Sequence, residues 1–206
     1  METTLKLIIC WVVYFIIHSI FASHFIKRIF KTHLPGLNQY YRAIYNFFAL
    51  IGLLAIIVYQ STFPQLYFYR PDTGITFLGL GLASMGLIIV KKSFEEYDIR
   101  EFLGIRQLTG DLEEQGFQRQ GLLTYVRHPL YSGSMLFLIG YLIFTPSIIN
   151  LITVLCMISY FVIGSFFEEK KLIRTFGKKY LDYKKEVPLF IPSPAALIKR
   201  LQKAKN

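Results

Sequence analysis

Apolar runs long enough to cross a lipid bilayer recur along this chain of 206 residues, near 5–24, 42–60, 74–90, 131–146 and 148–167. Such runs leave few folds open. In hydrocarbon each backbone N–H and C=O must find its partner within the protein, so a spanning segment of about 20 apolar residues is a helix. The pattern predicts an all-α integral membrane bundle of about five transmembrane helices. The composition agrees, with 53% hydrophobic residues and a mean hydropathy of +0.43, beyond the usual soluble range. No signal-peptide cleavage pattern follows the first run, so it reads as a retained helix.

The basic residues orient the bundle. Lys27, Arg28, Lys31 and Arg42 lie between the first two runs, six Lys or Arg residues between Lys91 and Arg127, and eleven from Lys170 onward. The opposite side carries only Lys6 and Arg70. The positive-inside rule therefore places the N-terminus outside and the C-terminus in the cytoplasm, as an odd number of spans requires. A net charge of +10 also suits nucleic acid. Here the charges flank apolar spans without a DNA-reading motif, which points to anionic lipid headgroups and to no nucleic acid. Cys10 and Cys156 both fall inside apolar runs and read as small buried side chains, not as a disulfide.

The fourth and fifth spans are separated by "TPSIIN", where Pro146 breaks the helix, and this predicts a tight antiparallel hairpin. Gly79 to Gly86, "GLGLASMG", lies inside a span with no strand before it, so it reads as a close-packing helix face and not as a nucleotide loop. Two polar segments remain. The first, "KKSFEEYDIREFLGIRQL", reads as helical through Glu101; the second continues the fifth helix to a break at Gly177. The closing "AALIKRLQKAKN" has the pattern of an interfacial helix and equally that of a frayed basic tail. The expected organisation is an N-terminal region over 1–115, a second region over 116–192 and a basic tail over 193–206.

Two constellations carry chemical possibilities. In "YVRHPLYSG", Pro129 suits the first turn of the fourth helix and holds His128 out of helical geometry just before it. Unpaired N–H groups then point to the interface beside Arg127 and His128, a setting for a carboxylate or phosphate, with Tyr131 one turn in. In "SFFEEKKL", Glu168 and Glu169 abut the end of the fifth span, and the hairpin brings them to the same side. Anion-binding groups facing carboxylates suit a zwitterionic amino acid head. The same residues also suit an interfacial anchor and the solvated start of a charged helix.

The ordered combination "VRHPLYSG", "EEKKL" and "FGKKYLDYKKEVPLFIP" resembles the cofactor-binding half of the isoprenylcysteine carboxyl methyltransferase superfamily, over about residues 116 to 192. The earlier stretches "HSIFASHFIK", "YRAIYN" and "EFLGIRQL" resemble the branch of methanethiol S-methyltransferases and NnrU-like proteins. The resemblance implies an S-adenosyl-L-methionine-dependent methyltransferase with a cytoplasmic C-terminal cofactor-binding region. It places Arg127, His128, Pro129, Leu130 and Tyr131, Glu168 and Glu169, and Gln115, Gly116, Phe117 and Gln118 around the cofactor. Two positions depart from the pattern. Leu123 stands where a tyrosine is usual, and Gly164 stands where prenylcysteine enzymes resemble one another in an arginine. The second departure argues for a small, uncharged or lipophilic acceptor, such as a small thiol.

A thiol acceptor must lose its proton, and the resulting thiolate needs stabilising. His18, deep in the first span, and Arg42, at the start of the second, are the candidate catalytic residues; an intramembrane ionisable group is a functional hypothesis by default. His18 equally suits a neutral imidazole bonded to a neighbouring helix, and Arg42 an interfacial anchor. Gln107 either caps the cofactor or ends a loop. The histidines at 18, 24, 33 and 128 lack metal-ligand spacing to the cysteines, so no metal is expected.

Overall fold

The structure, a computed structural model, describes residues 2–96, Ile105 and 116–194. Gln107, Gln115, most of "EFLGIRQL" and the tail "AALIKRLQKAKN" lie outside the described residues. The helices are α1 (Glu2–Ala22), α2 (His24–His33), α3 (Pro35–Asn38), α4 (Tyr41–Ser61), α5 (Thr73–Glu96), α6 (Pro129–Phe144), α7 (Ile148–Phe176) and α8 (Lys178–Glu186), with a 3₁₀ turn at Gly121–Thr124. Four of them, α1, α4, α5 and α7, are long and apolar enough to cross a membrane. The fifth apolar helix, α6, has 16 residues, about 24 Å of rise against a hydrocarbon core of about 30 Å. The chain is an integral membrane protein, and the large apolar side chains exposed on α1, α4 and α5 are its lipid-facing surface.

Local chemistry sets the breaks. Ser23 interrupts the first apolar run and caps α2, its hydroxyl accepting from the Ile26 amide at 3.4 Å. Part of the basic segment between the first two apolar runs is therefore itself helical, its charges spaced along an amphipathic stretch. Gly177, with φ 54° and ψ −129°, separates α7 from α8 in a backbone conformation that side chains with a Cβ rarely adopt. Pro146 lies in the turn between α6 and α7, as expected.

The chain forms two compact units, and these cut across a division at residue 115. Of the described residues, the first holds 2–70, Ile105 and 145–157; the second holds 71–96, 116–144 and 158–194. In the first, α1 and α4 run antiparallel, with Leu7, Trp11, Ile56 and Ile149 as the apolar core. The Trp11 indole donates to Thr153 at 3.1 Å and the Thr153 hydroxyl donates to Gln60 at 2.5 Å, so the polar atoms buried there are satisfied by one another.

In the second unit the closest packing is between α5 and α6. Gly79, Ala83 and Gly86 face Gly133 and Gly140, and a Cβ added at Gly86 would sit 2.6 Å from the Gly133 carbonyl. The small-residue face of α5 thus serves helix packing. It also corrects the expected tight hairpin: α6 packs its backbone against α5, while aromatic side chains lie between α6 and the second half of α7.

Candidate active site

Pro129 is fully buried at the first position of α6, and the Ser132 amide donates to the His128 carbonyl at 3.0 Å to close the first turn. Preceding backbone groups are tied to the segment after α8. The Arg127 amide donates to the Pro188 carbonyl at 2.9 Å, the His128 amide to that of Leu189 at 3.2 Å, and the Ser132 hydroxyl to that of Phe190 at 2.7 Å. The backbone of "RHP" is thus anchored to the segment 188–190 and to the first turn of α6.

The two adjacent glutamates have different environments. Glu169 is 3% exposed and accepts from Arg127 Nε and from Lys184 Nζ, each at 2.6 Å. The Tyr180 hydroxyl donates to it at 3.4 Å. Burial, together with the Glu169 carboxylate, pushes the Tyr180 phenol well above its usual range, so it stays a protonated donor. Arg127 also donates through Nη1 to the Lys184 and Val187 carbonyls. This is a buried, multiply bonded ion cluster that clamps α7, α8 and the entry to α6 together.

Glu168, one residue earlier, points elsewhere. Its side chain is 40% exposed, lies 3.5 Å from His128 Nδ1, and accepts from the Tyr131 hydroxyl at 3.1 Å. The His128, Tyr131 and Phe161 rings stack, with successive centroids 5.4 Å apart and interplanar angles of 3° and 14°. His128 is 3% exposed, and its Nε2, 3.8 Å from Glu169 Oε1, has no hydrogen-bond partner among the described residues. A buried imidazole nitrogen without a partner is costly unless a ligand supplies one. An accessible carboxylate, an orphaned nitrogen and a ladder of aromatic faces suit a cationic, amino-acid-bearing group.

The sequence-derived residues thus divide. His128, Tyr131 and Glu168 meet, with Pro129 and Leu130 setting the helix start, while Arg127 and Glu169 meet each other. Phe117 packs on Phe176, Tyr180 and Tyr183 in the aromatic core around α8. Gly116 and Gln118 are exposed, and Gln118 accepts from Gln120 at 3.2 Å. Gly164 leaves the Tyr131 hydroxyl 4.0 Å from where a Cβ would stand. Phe161 escaped the sequence reading, although its place seven residues before Glu168 puts it on the same helical face. Lys184 escaped it too, as one lysine among many in a basic stretch. Among the described residues no group of three or more His, Cys, Asp or Glu side chains is placed to hold a metal ion.

His18 and Arg42 lie in the first unit. His18 Nε2 is 2.7 Å from the Tyr45 hydroxyl, and Arg42 is half-buried in the first turn of α4.

Methanethiol S-methyltransferase 2 of Bradyrhizobium diazoefficiens is 28% identical over 182 residues, covering 85% of this chain and 68% of that protein. A methanethiol S-methyltransferase of a Pseudomonas species is 30% identical over 184 residues, covering 85% and 68%. That of Crocosphaera subtropica is 30% identical over 116 residues, covering 54% of this chain and 45% of its own length. The chain therefore spans between under half and about two thirds of these relatives. No solved structure shows significant similarity to it. The sequence pattern of the phospholipid methyltransferase (PEMT) family matches residues 75–179, which include α5, α6, α7 and both site glutamates. Family membership implies a methyl donor, and with more than half of its length matched, the chain belongs to the phospholipid methyltransferase family of membrane methyltransferases.

Proposed function

We propose that the protein transfers the methyl group of S-adenosyl-L-methionine to the sulfur of a small thiol such as methanethiol. The observation that carries the cofactor assignment is the accessible Glu168 carboxylate, which accepts from the Tyr131 hydroxyl and lies 3.5 Å from His128 Nδ1 beside the stacked rings. The names of the relatives support the thiol, as does Gly164, which offers no charge for an acceptor carboxylate. His128, Tyr131 and Glu168 would hold the donor, with Pro129 setting the start of α6 and Leu130 offering a first-turn N–H. The resemblance assigns Gln115, Gly116, Phe117 and Gln118 to the same cofactor. S-adenosyl-L-methionine, when bound, supplies an electrophilic methyl group on a sulfonium.

The protein's own contribution is alignment and exclusion of water. Glu168 offers the counter-charge for a cationic head, and Tyr131, hydrogen-bonded to it, holds the carboxylate in place. The stacked Tyr131 and Phe161 faces attract a cation without hydrating it. Arg127 and Glu169 act as positioning residues: their ion pair and the backbone bonds to 188–190 anchor the backbone at His128. His18, with Tyr45 on its ring, and Arg42 are the residues assigned to deprotonating or stabilising the thiol. The distribution of Lys and Arg supports an outside N-terminus, a cytoplasmic C-terminus and a contact with anionic headgroups.

The test is a transfer assay on membranes containing the protein, with methyl-labelled cofactor and a panel of methanethiol, longer thiols, prenylcysteine and phospholipid. Labelled dimethyl sulfide is expected from methanethiol, and the label should be lost in Glu168→Ala and His128→Ala. Preferential labelling of prenylcysteine or phospholipid would replace the acceptor. Absence of both labelling and cofactor binding would overturn the reading.

A further inference from the structure

The first unit holds a cavity that methylation of a molecule as small as methanethiol does not account for. Its volume is about 630 Å³, within the roughly 300–1,000 Å³ of small-molecule sites and about twenty times the ~30 Å³ share of one liquid water. A molecule with one carbon and one sulfur would leave most of it empty. The walls come from α1 and α4, with Phe30 of α2 closing one side.

No acidic side chain, lysine or arginine lines this space. The polar groups on the wall already bond within the unit. The Tyr14 hydroxyl donates to the Ala49 carbonyl at 3.0 Å, that of Tyr41 donates to the Phe21 carbonyl, and that of Tyr45 shares its bond with His18. A charged group entering would lose its hydration and meet no counter-charge, whereas hydrocarbon would lose only contact with lipid or water. The cavity exists because aromatic rings prop the helices apart: the Tyr14 ring lies 3.0 Å from where a Cβ on Gly52 would stand.

We propose that this cavity binds an uncharged lipophilic molecule of on the order of ten to twenty heavy atoms, taken up from the bilayer. His18, assigned above to the thiol, stands on the cavity's wall, none of the residues assigned to the cofactor does, and its occupancy is read without turnover. Trp11 is the sole tryptophan. It is 1% exposed, follows the cavity-lining Cys10 and meets the Tyr14 ring edge-on at 6.0 Å. It is therefore a built-in reporter, shielded from bulk lipid.

The full chain, in nanodiscs of unbrominated phosphatidylcholine, is titrated with ω-bromoundecanol while Trp11 fluorescence is followed. Saturable quenching is expected, displaced by plain undecanol and weakened about tenfold or more by Ala49→Phe, which fills the cavity. Ile17→Ala, which enlarges it, should keep the quenching and favour longer alcohols, so the result does not depend on one variant folding. Quenching that rises linearly with probe and ignores undecanol would overturn the proposal. Equal saturation by ω-bromoundecanoate would overturn the uncharged character of the ligand. Quenching by brominated phosphatidylcholine that undecanol cannot displace would assign the cavity to a lipid acyl chain instead.

Discussion

The pair α5–α6 and the pair α1–α4 are both antiparallel apolar helices, yet one closes on itself and the other leaves a half-open cavity. In α5–α6, glycine and alanine meet glycine, so backbone touches backbone and no space remains. Between α1 and α4, rings of Tyr14, His18 and Tyr45 stand where small residues stand in the other pair, and about 630 Å³ stays open. Hydropathy does not distinguish these pairs. In a membrane, where lipid is as apolar as a side chain, the size of the residues at the interface decides how closely helices approach.

A second contrast is electrostatic. The first unit buries neutral hydrogen bonds, whereas the second buries charge. The largest expected effect is on that charge. Glu169→Ala leaves Arg127, 8% exposed at its side chain, with its carboxylate removed, and should cost about 3–5 kcal/mol in thermal unfolding followed in detergent. A loss below about 1 kcal/mol, as for a surface pair, would deny the cluster its clamping role.

The helix contact can be broken next. Gly86→Ala forces α5 from α6 and should cost about 1–3 kcal/mol by the same measurement, while Gly81→Ala on the same helix, where a Cβ meets nothing within 4 Å, should stabilise by up to about 1 kcal/mol. Equal effects at the two positions would remove the close-packing account. Glu168→Gln sharpens the division between the glutamates. It should leave the unfolding temperature near that of the unaltered chain and weaken binding of labelled S-adenosyl-L-methionine by about tenfold or more, the loss of a charge-assisted bond. The smallest effect is expected at Gly52→Ala, where a Cβ meets only the Tyr14 ring, which can turn; a loss under about 1 kcal/mol is expected, read by unfolding as before.

Much of the helical plan was legible because burial in lipid makes a long apolar run and a helix nearly the same statement. The breaks at Pro146 and Gly177 follow from the backbone chemistry of those residues. Within the site, the proximity of "RHPLY" to "EE" could be anticipated from the hairpin, and Tyr131 does reach Glu168. The separate environments of Glu168 and Glu169 could not. Adjacent residues on a helix point about 100° apart, and which direction faces Arg127 and which faces His128 depends on where α6 and α8 lie. Phe117 shows the same limit, since its aromatic partners come from the end of α7 and from α8, some sixty residues further along the chain.

By itself the sequence determined a membrane-embedded helical protein, the breaks at Pro146 and Gly177 and the residue types available for a methyl donor, because these follow from local periodicity, backbone chemistry and solvation in hydrocarbon. Only the tertiary structure decided which glutamate is consumed by a buried arginine, which histidine nitrogen lacks a partner and where space remains between helices. Those outcomes depend on side chains from distant segments competing for the same volume and the same hydrogen bonds, and no local pattern records who wins that competition.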